Sequence, residues 1–87
     1  MSDKLKIKVK ALKALADETR LSIVEKLANY PSLQCSELSE KFQLSQPTLS
    51  HHFKKLMDAD VIIAAKKGTQ MFYSLNKKLL KELGISL

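Results

Sequence analysis

The run Phe42-Gln43-Leu44-Ser45-Gln46-Pro47-Thr48-Leu49-Ser50-His51-His52-Phe53-Lys54-Lys55-Leu56 decides how this chain is read. Ser45 offers a hydroxyl to an orphan N–H of a first helical turn. Pro47 sits in that turn, where no intrahelical N–H is required. The pattern predicts a helix from Ser45 to about Ala59. Before it, Ser36 to Phe42 reads as a short helix with Leu38 and Phe42 on one face, and Gln43-Leu44 reads as the turn between them. Two short helices joined in this way make a helix-turn-helix, whose second helix can enter the major groove of a duplex.

Successive residues of a helix lie about 100° apart, which puts Leu49, Phe53, Leu56 and Met57 on one side, towards a core. Pro47, His51, Lys54, Lys55 and Asp58 lie opposite, with Thr48 and Ser50 at the flanks. Short hydroxyls and an imidazole come first and two lysines follow a turn later. Groove reading requires that arrangement: compact donors and acceptors meet base edges, and lysines meet flanking phosphates. Gln46 is not on that face; its claim rests on its place at the N-terminal end, which points into the groove.

Working outward, Asp17 caps a helix with Glu18 in its first turn and an apolar stripe of Leu21, Val24, Leu27 and Ala28. Tyr30-Pro31 ends it, because the residue before proline avoids the α region. The segment Lys4 to Ala16 is ambiguous. Lys4 to Lys10 alternates like a strand, whereas Leu5, Val9, Leu12 and Ala16 fall at helical spacing. Its C-terminal half is rich in Ala and Leu and reads as helix; the residues before Val9 stay open. After Ala59 the period changes. Val61 to Lys66 and Gln70 to Leu75 read as strands around Lys67-Gly68-Thr69, where Gly68 supplies the positive φ of a tight hairpin. Lys66, Lys67 and Thr69 stand at its tip, which is either an ordinary solvated turn or a second contact with a nucleic-acid backbone. Asn76 caps a last helix carrying Leu79, Leu80 and Leu83. The fold class is therefore mainly α with a β-hairpin (α+β): a winged helix-turn-helix in the order α-α-α-α-β-β-α, one domain over residues 1–87.

Eighty-seven residues bury only roughly 60% of their unfolded surface, so such a chain often needs a disulfide, a metal or a partner subunit. Cys35 is the only cysteine, which excludes an internal disulfide and suits a reducing compartment, the cytoplasm. No apolar run approaches the roughly 20 residues of a membrane span, and the N-terminus lacks a signal-peptide core. Stabilisation by a second copy remains. Leu5, Val9 and Leu12 with Leu79, Leu80 and Leu83 are the candidate dimer interface, unless they cap their own core. The net charge of +6 favours a polyanionic partner. From composition alone, lysines that merely keep the domain soluble explain it equally well.

Two blocks, Leu12-Lys13-Ala14-Leu15-Ala16-Asp17-Glu18-Thr19-Arg20-Leu21 and Leu44-Ser45-Gln46-Pro47-Thr48-Leu49-Ser50-His51-His52, resemble the signature blocks of the ArsR family of winged-helix repressors. The resemblance runs from about Leu12 to Leu75, and its second block is the more specific. It implies a homodimer through the first and last helices, bound to an imperfect palindrome in double-stranded DNA that overlaps a promoter. It also implies that Gln46, Ser50 and His51 read bases with Ser45 and Thr48 nearby, and that Lys66 to Gln70 is the wing.

The sequence departs from the family's metal sensors. Their Cys-x-Cys pair at the start of the third helix falls on Gln34 and Ser36, with Cys35 between. One thiol flanked by Gln and Ser cannot assemble a soft-metal site. Cys35 shares the spacing of Leu38 and Phe42 and reads as a small apolar residue, with a redox-sensing thiol as the alternative. Asn76 to Leu87 holds no histidine and Glu82 as its one acid, and His51 and His52 are about 100° apart rather than a chelating i, i+4 pair. Neither metal nor cofactor is expected, and the residues specify no inducer. Three other functions compete. A winged-helix protein-interaction module would bind a partner protein and no duplex. An RNA-binding domain would need an aromatic platform, yet the five aromatics fall mostly on core faces. An enzyme is not supported, for want of a phosphate loop, an acid pair or an activated nucleophile.

Overall fold

Ser2 accepts the backbone N–H of Leu5 at 3.2 Å, and all of Asp3–Leu15 is helix (α1) in the computed structural model, which describes residues 2–87. The strand-like alternation of Lys4 to Lys10 thus gives way to the helical period. A helix satisfies its own backbone groups, and Ala11, Ala14 and Leu15 give α1 a buried face. Asp17 accepts the N–H of Arg20 at 3.0 Å and starts α2, Glu18–Ala28. The buried stripe of α2 is Ile23, Val24 and Leu27; Leu21 and Ala28, expected on it, are half-buried.

A two-residue strand, Leu33–Gln34 (β1), precedes the third helix and adds an element to the expected order. Two residues are too short to show a period. Helix α3 then covers Cys35–Phe42, one residue earlier than expected, with the Glu37 carboxylate accepting the Gln34 N–H at 3.0 Å. Gln43 closes α3 in the left-handed conformation, φ 54° and ψ 39°, and Leu44 donates back to the Ser39 carbonyl. Helix α4 follows over Gln46–Asp58.

Strands β2 (Ile62–Lys67) and β3 (Gln70–Leu75) pair antiparallel from Ile62↔Leu75 to Lys67↔Gln70, and β1 adds on the other side of β3. Lys67 therefore belongs to the strand, and the turn is Gly68-Thr69, with φ +64° at Gly68. The hairpin's base is tied by Asn76, whose N–H donates to the Val61 carbonyl and whose side-chain amide donates to the Asp60 carbonyl, both at 2.9 Å. The Asn76 side-chain oxygen accepts the N–H of Leu79 and caps α5, Lys77–Glu82.

The core joins all these layers: Leu38 of α3, Leu49, Phe53 and Leu56 of α4, Val61 and Ile62 at the hairpin's start, and the buried faces of α1 and α2. Leu80 and Leu83 are only 3% and 4% exposed and belong to this core. Their own chain covers them, so the apolar surface expected at the last helix narrows to half-buried Leu79. Leu5, Val9 and Leu12 of α1 are instead open, at 47%, 43% and 46%. No helix among the described residues is long and apolar enough to cross a membrane.

Side chains other than glycine strain in the left-handed region, so Gln43→Gly should stabilise the fold by about 1 kcal/mol. In a domain of this size that is a rise of about 4–8 °C in Tm, read by thermal denaturation. An unchanged or lower Tm contradicts the strain assigned to that turn.

Candidate nucleic-acid interface

The N-terminal end of α4 is held by a short relay of hydroxyls. Ser45 Oγ accepts the Thr48 N–H at 3.3 Å and donates to Thr48 Oγ1 at 2.9 Å. Thr48 keeps its own hydroxyl hydrogen for a further acceptor. The Ser39 hydroxyl donates to the Leu44 carbonyl and ties the turn to α3. Gln46 and Pro47 fill the first turn, and both are exposed.

The rotation of α4 is fixed from below. Leu49 and Leu56 are fully buried, and Phe53, 1% exposed, stacks on Tyr73 of β3 with ring centroids 4.4 Å apart. Gln46, Thr48, Ser50, His51, Lys54 and Lys55 are consequently all exposed, and Met57 is half-buried at the edge of the core. Among the described residues, nothing covers the His51 and Lys54 side of the helix.

At the wing Lys66, Lys67 and Thr69 are exposed. The Lys67 ammonium stands 5.5 Å from the centroid of the Phe72 ring, so a cation–π contact restrains it near the strand. Gln34 donates from its side-chain amide to Gln70 at 3.0 Å, which anchors the wing to the start of α3. One chain therefore holds the helix and the wing through a common sheet.

His52 is the residue of this region whose part the sequence did not show. Its ring meets that of His51 edge-on at 5.9 Å and places Nδ1, buried and without a hydrogen-bond partner, 4.0 Å from the Asp17 carboxylate. The contact joins the start of α2 to the middle of α4. Thirty-five positions of separation hide it from any local spacing.

Cys35 is half-buried against the core rather than enclosed by it, and burial pushes its thiol up. That direction is opposite to the lowered value of a reactive thiolate. Its neighbours are engaged elsewhere: the Ser36 hydroxyl reaches the Gln34 amide oxygen at 3.5 Å, and Gln34 bonds Gln70. Two neutral side chains and a protonated thiol do not fit a soft metal ion. No group of three or more His, Cys, Asp or Glu that could hold a metal occurs among the described residues.

The profile of the family described as bacterial regulatory protein, arsR family, matches residues 17–64. The chain is 42% identical over 72 residues to the arsenical resistance operon repressor of Staphylococcus aureus, covering 83% of this chain and 68% of that one. Among solved structures, HlyU from Vibrio cholerae superposes with a TM-score of 0.82 at 30% identity, covering 97% of this chain and 91% of that one. The transcriptional repressor PagR of Bacillus anthracis superposes with a TM-score of 0.78 at 28% identity, over 92% of both chains.

The Asp17 carboxyl is held below its ordinary value of 3.8, first by the Arg20 backbone N–H and then, against the desolvation that opposes them, by the charges of Arg20 and His52. A depressed carboxyl stabilises the fold above its unfolded value and loses that contribution as pH falls through its folded value. The urea midpoint should therefore drop as pH is lowered below 3.8, and Asp17→Asn should flatten part of that drop. Superimposable acid profiles of the two proteins contradict the assignment.

Proposed function

The chain belongs to the ArsR family of bacterial regulatory proteins and is a DNA-binding transcriptional repressor; from that premise we propose how it reads its operator. Two copies bind a palindromic site in double-stranded DNA, each laying α4 in a major groove. Gln46, Ser50 and His51 meet base edges, with Ser45 and Thr48 at the mouth of the groove, because their short polar side chains stand on the uncovered side of α4. Lys54 and Lys55 meet the phosphates on either ridge. Lys66, Lys67 and Thr69 of the wing meet the backbone alongside. An operator-binding protein works where DNA is, which for a bacterial regulator is the cytoplasm.

The observation that carries this reading is the split of α4 into a side locked in the core and a side left bare. Leu49, Phe53 and Leu56 form the first, and His51 and Lys54 the second. The homodimer rests on α1, where Leu5, Val9 and Leu12 recur at helical spacing and are nearly half exposed. Such a stripe is what two short helices cover when they pack together. A two-fold axis would set the recognition helices about 34–36 Å apart, one turn of duplex or a multiple of it.

The test is fluorescence anisotropy on promoter duplexes across a salt range, with a scrambled duplex as control. Log affinity should fall with log salt by about 0.9 per phosphate contacted. His51→Ala should cost about 1–3 kcal/mol on the preferred duplex and narrow its lead over the scrambled one, whereas Lys67→Ala should weaken both alike. Equal affinity for both duplexes, before and after His51→Ala, contradicts base reading by α4; affinity for a partner protein and none for duplex favours an interaction module.

For the dimer, sedimentation should give twice the chain mass of 9.8 kDa at micromolar concentration. Val9→Lys should halve it. A monomer in the unaltered protein contradicts the assembly.

A further inference from the structure

The chain carries 15 lysines and arginines against nine acids. Among the described residues, the one contact within 4.0 Å between a basic and an acidic side chain is that of His52 with Asp17. Most of the basic side chains are spread along helix surfaces where water screens them. The largest gathering is that of Lys10 and Lys13 of α1, Arg20 of α2 and Lys55 of α4, which line the same cleft, of about 240 Å³, with Asp58 as the carboxylate on its wall.

Arg20 is the fixed member of the group. Its Nε donates to the Ala14 carbonyl at 2.7 Å, and its backbone N–H is taken by Asp17. The two terminal amino groups of the guanidinium remain to donate, in the planar fork that matches a phosphate. Lys13 and Lys55 each stand in the last turn of their helices, where the macrodipole favours a cation. That accounts for two of the four charges. Arg20 is placed by its bond to the Ala14 carbonyl and Lys10 has no such anchor, so four cations line one cleft beside a single carboxylate, Asp58, and their excess positive charge favours an anion there.

We propose that this cleft binds a phosphate-class oxyanion, with the Arg20 guanidinium as its fork and Lys10, Lys13 and Lys55 as flanking charges. Two sources supply that chemistry. One is a phosphodiester of the operator itself, since Lys55 also belongs to the helix assigned to the groove, and for this source the inference rests on the operator reading above. The other is a phosphorylated small molecule, which requires no DNA.

The full chain tests both. Lys10→Gln/Lys13→Gln keeps two good helix formers on exposed positions, and Lys4→Gln/Lys6→Gln removes equal charge from the same helix outside the cleft. Sodium pyrophosphate is titrated at constant ionic strength while the Arg20 Nε–H resonance is followed by NMR, and the slope of log affinity against log salt is measured on duplex DNA. Saturable movement of that resonance, weakened about tenfold in the cleft variant and unaltered in the control, supports the site. A salt slope reduced by about 0.9 per lost phosphate in the cleft variant alone assigns it to the DNA backbone. An unchanged slope beside lost pyrophosphate binding assigns it to a free phosphorylated ligand. No saturable movement together with equal slopes in all three proteins overturns the proposal, as does an equal loss in the cleft variant and the control. If the unaltered protein binds no duplex, the operator reading fails separately, and the pyrophosphate titration still decides the cleft.

Discussion

Three side chains set the orientation of α4, and the rest of the molecule is arranged around that setting. Leu49, Phe53 and Leu56 are buried in the core, and the stacking of Phe53 on Tyr73 joins the helix to the middle strand of the sheet. Removing a buried phenylalanine to alanine costs about 3–5 kcal/mol, a large share of the stability of so small a domain. With the apolar side committed inward, helical geometry leaves no choice about what faces out. His51 lies about 160° from Leu49 and from Phe53, and Lys54 about 100° from Phe53, so the chemistry that α4 leaves outward is fixed by packing on the opposite side.

The wing depends on the same sheet. Tyr73, which meets Phe53, lies in β3 and pairs with Leu33 of β1 and Ala64 of β2. Movement of α4 relative to the hairpin would have to break that stack, so helix and wing form one rigid unit. Asn76 closes the hairpin's open end while starting α5, which fastens Leu80 and Leu83 over the core. The cost of the design is local: Gln43 and Asp60 take left-handed backbone where the chain turns sharply before and after α4. Both left-handed residues frame α4.

Much of this is legible in the amino-acid sequence. The caps at Ser45, Asp17 and Asn76 follow from side-chain chemistry confined to three or four residues, and the two-sided character of α4 follows from period alone. What the sequence hid was non-local or too short. Leu33–Gln34 becomes a strand because β3 has an open edge beside it, which no two-residue pattern reveals. Leu80 and Leu83 read as spare apolar surface because the depth of the core cannot be counted from a list of leucines. The ambiguity of Lys4 to Lys10 was real in the sequence, since both periods fit; α1 settles as helix because its buried face continues through Ala11, Ala14 and Leu15. The helix, its preceding turn and the hairpin follow from the Ser45 cap, the apolar period and Gly68, and lie where those residues place them.

Chemical interference tests at the bases themselves whether the bare side of α4 lies in the major groove. Duplex methylated sparsely at guanine N7 would be offered to the protein, and bound and free fractions compared. N7 lies in the major groove, where a methyl group removes an acceptor that groove reading needs. Methylated guanines should be depleted from the bound fraction in two patches about 10–10.5 base pairs apart, or a multiple of that, centre to centre. Equal recovery of methylated guanines in bound and free DNA would contradict it.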